Sequence, residues 1–251
     1  MSAQPALVVS SVSKNFGGVQ AVHLVSLSVP VGERRALIGP NGAGKTTLFN
    51  VIAGELKADG GRLELFGEDI THRSVQERAR LGLGRTYQIS QLFLKLTVEE
   101  NLFLAGASTA GLTFQMFRPW SKQISQREWA RQVAEQVGLS GQLGMRVADL
   151  SHGQQRQLEL GVAISMRPRL IMLDEPAAGL SPSERVILTG LIKKLPAETT
   201  LILIEHDMEI VLDLADTITV LNRGEVIAEG KPEEIRSNQE VQKVYLGSSY
   251  A

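Results

Sequence analysis

Short runs of apolar and β-branched residues, punctuated by glycine, mark the first third of the chain at Leu7–Val12, Val25–Val29, Arg35–Ile38 and Arg62–Phe66. Runs of this length bounded by turn residues predict strands. Gly60–Gly61 reads as a hairpin turn. After Ile38 the period changes: a glycine-rich loop, Gly39 to Gly44, precedes a stretch with Leu48, Val51 and Ile52 at helical spacing and Gly54 as a stop. From about Ser90 to Arg169 helical patterns dominate, and Thr97 with Glu100 three residues on predicts a capped helix start. Strand patterns return at Leu170–Leu173, Leu201–Ile204 and Thr217–Leu221, followed by a turn at Asn222–Glu225, a strand at Val226–Ala228 and one terminal helix from Pro232 to Tyr245. This alternation predicts an α/β core interrupted by a helical insertion.

The 251 residues fit one domain, 43% hydrophobic and 21% charged, so a packed core is expected rather than disorder. Lys and Arg total 26 against 27 Asp and Glu, which leaves no net field to draw in nucleic acid; no nucleic-acid partner is expected. Cysteine is absent, which excludes disulfides, thiolate metal sites and a cysteine nucleophile. The charge-free stretch from Asn15 to Gly32 holds His23, Pro30 and three glycines and does not read as a membrane span. The N-terminus carries no basic start followed by an apolar run, so no secretory signal is read and a cytoplasmic location is expected.

The chemistry begins at Gly39-Pro40-Asn41-Gly42-Ala43-Gly44-Lys45-Thr46, which matches G-x-x-x-x-G-K-[ST] between a predicted strand and a predicted helix. Glycines let successive N–H groups turn into one concave nest, and the helix that follows adds its positive end, so a polyphosphate is held largely by main chain. Lys45 would reach the β- and γ-phosphates, the Thr46 hydroxyl would ligate Mg²⁺, and Thr47 completes the contact set. Downstream, the apolar run Leu170–Leu173 ends in Asp174 and Glu175. A buried parallel strand delivers acids at its C-terminal end, where ligands bind in such sheets. Asp174 would hold the metal and Glu175 would polarise an attacking water.

With these two elements in place, Leu150-Ser151-His152-Gly153-Gln154 resembles the LSGGQ signature loop of ABC-type ATPases. Gln88 in RTYQ is similar to that family's Q-loop glutamine, His206 in IEHD to its switch histidine and Phe16 in KNFGG to its adenine-stacking aromatic. Singly, each is an ordinary residue; the ordered set carries the resemblance. It implies an α/β P-loop NTPase core of the ABC ATPase type. An antiparallel β subdomain would share residues 1–88 and 160–230 with that core, a helical subdomain with the signature loop would span about 89–159, and a C-terminal helix about 231–251. It implies ATP and Mg²⁺ as ligands, with Gln88 near both metal and lytic water. It also implies a head-to-tail pair with a second ATP-binding subunit, in which Ser151, Gly153 and Gln154 of one chain meet the nucleotide held by the other's Lys45. Two positions depart from the pattern: His152 stands for the second residue of LSGGQ, and Ser181 in AAGLS stands where Asp or Asn is common.

The segments FGGVQAV, RTYQISQLF, LTVEENL, LSHGQQRQLELGVA and DEPAAGL resemble the LivG-like ATP-binding subunits of branched-chain amino acid importers. That implies integral-membrane permease subunits, a periplasmic or extracellular substrate-binding protein, and a peripheral place on the cytoplasmic membrane face. The apolar segment Leu102–Trp120, with Gln88–Phe93, reads either as a permease-docking groove or as internal packing. An exporter ATPase for lipid or lipopolysaccharide and a non-transport ABC-type regulator stand as alternatives.

Overall fold

The computed structural model describes residues 4–86, 92–109 and 124–247. Two sheets share the first half of the chain. In the first, β1 (Leu7–Phe16) lies between β2 (Val19–Val29) and β4 (Gly60–Leu65), and β5 (Glu68–Asp69) closes an antiparallel order β2-β1-β4-β5. Leu7 faces Val29 on one side and Leu65 on the other. The hairpin turn falls at Phe66-Gly67, both at positive φ, not at Gly60–Gly61. That glycine pair instead opens β4, where Gly61 lies against the carbonyls of Ser10 and Ser11.

The second sheet is six-stranded, in the order β10 (Glu225–Gly230), β9 (Thr217–Asn222), β3 (Arg34–Ile38), β8 (Thr200–Ile204), β7 (Leu170–Asp174), β6 (Leu83–Arg85). Its pairs are parallel except at the β9–β10 edge, where the chain reverses through Arg223-Gly224. Every residue of β7 and β8 is buried, the continuous apolar run that a sheet covered on both faces requires.

Period two sorts these runs between two cores. Leu170, Met172, Ile202 and Ile204 point into a cluster with the first sheet and with α1 (Lys45–Ala53). Ile171, Leu173, Leu201 and Leu203 point the other way. There they meet α3 (Val98–Thr109), α4 (Ile124–Gln136), α5 (His152–Ser165), α6 (Pro182–Lys193) and α7 (Met208–Leu214). Leu102, Phe103 and Ala107 belong to this core, so that part of the apolar insertion is internal packing, while Phe93 and Leu94 are exposed. Residues 88–91 and 110–120 of the expected docking region lie outside the described residues.

Two buried arginines tie the parts together. Arg35 bridges Glu33 and Glu229, each at 2.6 Å, and donates to Thr219 Oγ1 and the Ser28 carbonyl, so β2, β3, β9 and β10 meet on one guanidinium. Arg78 lies in α2 (Val75–Arg80), a six-residue helix that the sequence pattern does not predict. Its Nη1 donates to the carbonyls of Val51 and Ile52, at 2.7 and 2.6 Å, closing the end of α1. The single terminal helix expected from Pro232 is broken into α8 (Pro232–Ser237) and α9 (Gln239–Gly247). Asn238 accounts for the break: its Oδ1 accepts the N–H groups of Glu240 and Val241 and starts a new helix. Among the described residues no helix is long and apolar enough to cross a membrane.

Candidate functional site

The loop Gly39–Gly44 joins the C-terminal end of β3 to the first turn of α1. Two of its glycines are forced by close backbone approach: a Cβ on Gly39 would lie 2.1 Å from the Leu221 carbonyl oxygen, and one on Gly44 2.2 Å from that of Ala21. The β9–β10 turn also holds the loop, through Gly224 N–H to the Ala43 carbonyl at 3.0 Å. Lys45 is buried and its Nζ donates back to the carbonyls of Gly39, 2.7 Å, and Pro40, 3.0 Å. Burial pushes this ammonium below its ordinary range, and the nearby Glu175 and Asp174 carboxylates oppose the shift. Beside it opens a cavity of about 500 Å³ lined by Phe16, Asn41, Lys45, Thr46, Glu175 and His206, with Gly42, Ala43 and Thr47 also on its wall. Phe16 is half-exposed at the end of β1, with Lys14 Nζ 5.7 Å from its ring centre. Asp59 fixes that turn, accepting Lys14 Nζ and Asn15 N–H at 2.7 Å each.

The end of β7 presents the two acids to different surroundings. Asp174 is buried, and its Oδ2 meets Arg85 of β6 at 3.3 Å. Burial raises its carboxyl above the ordinary range, Arg85 pulls it down and Glu175 adds to the rise. Glu175 takes a left-handed backbone conformation, φ 48°, a strained state for a residue with a Cβ. Its N–H donates to the Ile204 carbonyl at 3.0 Å, and its Oε1 stands 2.5 Å from His206 Nε2. His206 follows β8, as the sequence predicts, and Asp207 caps α7 behind it.

The signature segment forms the start of α5. Ser151 Oγ accepts Gln154 N–H at 3.2 Å and Gln154 Oε1 accepts Ser151 N–H at 3.0 Å, a reciprocal cap that leaves the helix start on the surface. Gly153 packs where a Cβ would lie 2.4 Å from Glu184 Oε1. Glu184 also accepts Ser181 N–H and Oγ–H, at 2.9 and 2.7 Å, capping α6. Hydrogen bonds from Ser181 and from the Gly153 backbone, with His152 nearby, hold the Glu184 carboxyl below its ordinary range. Ser181, one of the two departures, is therefore the cap of α6, and Glu184 joins two helix starts. Exposed His152 lies over Gly179.

Thus Phe16, the loop residues 41–44, Lys45, Thr46, Glu175 and His206 share one cavity, with Asp174 close behind; Gly39 and Pro40 do not line it and instead hold the Lys45 ammonium. Ser151 is exposed at the start of α5, with Gly153 buried against Glu184 and Gln154 part-buried behind it. Gln88 lies outside the described residues. Sequence reasoning missed three charged neighbours. Glu184 was readable from Ser181-x-x-Glu184, a capping-box spacing. Arg85 and Glu205 carry no such signal, because only the fold brings Arg85 to Asp174 and buries Glu205. The donors near Lys45, a threonine hydroxyl and a carboxylate, are the hard oxygen ligands that Mg²⁺ takes.

A family model described as ABC transporter matches residues 22–178, and one described as branched-chain amino acid ATP-binding cassette transporter matches 225–251. The chain is 42% identical to the high-affinity branched-chain amino acid transport ATP-binding protein BraF of Pseudomonas aeruginosa, over 98% of this chain and 99% of that one. It is 40% identical, with the same coverage, to the corresponding protein LivG of Escherichia coli. Among solved structures, an ATP-binding cassette of an ABC transporter in its ADP conformation superposes with a TM-score of 0.86 at 35% identity, covering 97% of this chain and 99% of that one. A nucleotide-free cassette from an ABC transporter gives 0.85 at 35% identity, with 96% and 98% covered.

Proposed function

The chain belongs to the ABC transporter family as an ATP-binding protein, and from that premise we propose that it hydrolyses Mg²⁺-ATP to drive import of branched-chain or other hydrophobic amino acids through a membrane permease. The observation that carries the chemistry is the 2.5 Å contact of Glu175 with His206 across the cavity that holds Lys45 and Phe16.

Phe16 offers its ring to the adenine. N–H groups of the glycine-rich loop, Pro40 excepted, and Lys45 take the β- and γ-phosphates; Lys45 leaves its two carbonyl partners for phosphate oxygens, whose charge adds to that of Glu175 and Asp174 beside a buried cation. Thr46, Asp174 and Gln88 are the residues that would hold Mg²⁺, which when bound neutralises charge on the phosphates. Glu175 accepts a hydrogen bond from the attacking water and orients it in line with the γ-phosphorus. His206, donating from Nε2, passes from Glu175 to the γ-phosphate oxygens and stabilises charge there. The water oxygen bonds to the γ-phosphorus as the bond from that phosphorus to the bridging oxygen of the β-phosphate breaks; the water's proton passes by way of Glu175 to the released phosphate, and ADP and phosphate leave.

The starts of α5 and α6 are not among the residues that line the chain's own nucleotide cavity. Ser151, Gly153 and Gln154 complete the site of a second ATP-binding subunit, a copy of this chain or a relative, in a head-to-tail pair. The pair sits under integral-membrane permease subunits on the cytoplasmic face, with a substrate-binding protein on the far side. The test is phosphate release from Mg²⁺-ATP by the purified chain. Hydrolysis that vanishes in Lys45→Ala supports the reading; hydrolysis at the wild-type rate in that variant overturns the site.

A further inference from the structure

Glu205 is a buried carboxylate that the chemistry above does not use. It follows β8 directly, is 5% exposed, and forms no ion pair among the described residues. Its charge is met by main chain alone: Oε1 accepts Ala177 N–H at 3.0 Å, Oε2 accepts His206 N–H at 3.1 Å, and the Asp207 amide adds a third bond. Burying a carboxylate without a cation is costly, and its carboxyl is pushed above the ordinary range by burial, with Glu175 adding to the rise.

The three amides belong to two loops. One runs from Glu175 to Ser181 and carries the water-facing carboxylate; the other carries His206. Besides the functional pair itself, these loops are tied by Glu175 N–H to Ile204 and by Arg185, which donates to the Leu180 carbonyl and to Asp207 at 2.8 Å. Among the described residues, Glu205 reaches both from the buried side, with one oxygen on each. We propose that Glu205 is a positioning residue that sets the distance between Glu175 and His206. It touches no substrate atom, and its effect on turnover runs through His206. The inference rests on the ATPase reading above.

Glu205→Gln keeps the shape but turns one accepting oxygen into an NH₂ group facing an N–H, so one loop is released. A misplacement of about 1 Å in such a pair costs up to about a hundredfold in rate. Steady-state hydrolysis and ATP binding by titration calorimetry are measured on the full chain for Glu205→Gln, for Glu205→Asp as a variant that keeps the charge, for His206→Ala and for the doubles. The expected result is a loss in kcat of about tenfold or more in Glu205→Gln and a smaller loss in Glu205→Asp, with ATP affinity within about twofold of wild type. In the His206→Ala background a further Glu205→Gln change costs less than about threefold, because the group it positions is already gone. If Glu205→Gln does not fold, Glu205→Asp is judged by a loss in kcat of at least about threefold at unchanged ATP affinity, and by whether that loss disappears in the His206→Ala background. Wild-type kcat in the variant, or losses that multiply fully in the double, overturn the inference alone. No hydrolysis by the wild-type chain overturns the ATPase reading and this inference with it.

Discussion

Oε1 of Glu175 lies 2.5 Å from Nε2 of His206, although one follows β7 and the other follows β8. The contact exists because β7 and β8 are parallel neighbours whose C-terminal ends deliver both side chains to the same cavity. Removing either partner leaves the bonds of Lys45 to the Gly39 and Pro40 carbonyls in place. Glu175→Gln and His206→Ala are therefore expected to keep ATP affinity within about threefold while hydrolysis falls by about 10²–10⁴. Calorimetry and a phosphate-release assay on the same preparations check both halves.

Gly153 has no room for a methyl group, since Glu184 Oε1 would stand 2.4 Å away. Gly153→Ala is expected to displace Glu184 and disturb the start of α5 without touching the cavity that holds Lys45. In a Glu175→Gln background it should abolish any ATP-dependent pairing while ATP still binds to the single chain. Light scattering on a sizing column, with and without ATP, reads the first; calorimetry reads the second.

The cap on α6 gives acid sensitivity with a definite sign. Glu184 titrates below its ordinary range in the fold, mainly because Ser181 donates to it, so its stabilisation is full above the ordinary glutamate range and is lost as pH falls through the folded value. Asp174 and Glu205 are raised and work in the opposite direction. Ser181→Ala is expected to cost about 1 kcal/mol at neutral pH and to flatten the acid decline. Ser181→Asp should keep the cap. Urea unfolding at several pH values between about 3 and 7 decides it.

Arg78 closes the end of α1 with a buried guanidinium. Arg78→Leu leaves the Ile52 carbonyl buried without a donor and the Val51 carbonyl with the Gly54 N–H alone, an expected loss of about 1–3 kcal/mol. The urea midpoint should fall with an unchanged slope.

What the sequence disclosed was what is local. Gly39–Thr46 could be read because its glycines, Lys45 and Thr46 are neighbours in the chain. The strands β7 and β8 could be read because a strand buried on both faces is apolar throughout. Glu205 could not, since only the packing of β8 against the Glu175 loop buries it. The short α2 escaped because six residues hold too few apolar positions to show a period, although Ser74 and Glu77 form a capping box. Asn238 was read through as helix because an asparagine cap and a helical asparagine look alike until the backbone is known. The glycines at 60 and 61 suggested a turn, whereas the reversal falls at Phe66-Gly67, where an aromatic residue accepts a left-handed conformation.

The place of β3 sets the order in which the protein can be made. It leaves the ribosome early, yet both of its neighbours, β8 and β9, begin only at Thr200 and Thr217. At about 5–20 residues per second, the strand that ends in the phosphate loop waits roughly ten seconds or more for its partners. Through that interval the nascent chain carries an unpaired apolar edge, so newly synthesised protein is a natural client for chaperones, and truncations before residue 222 leave the nucleotide loop without the strand and turn that brace it.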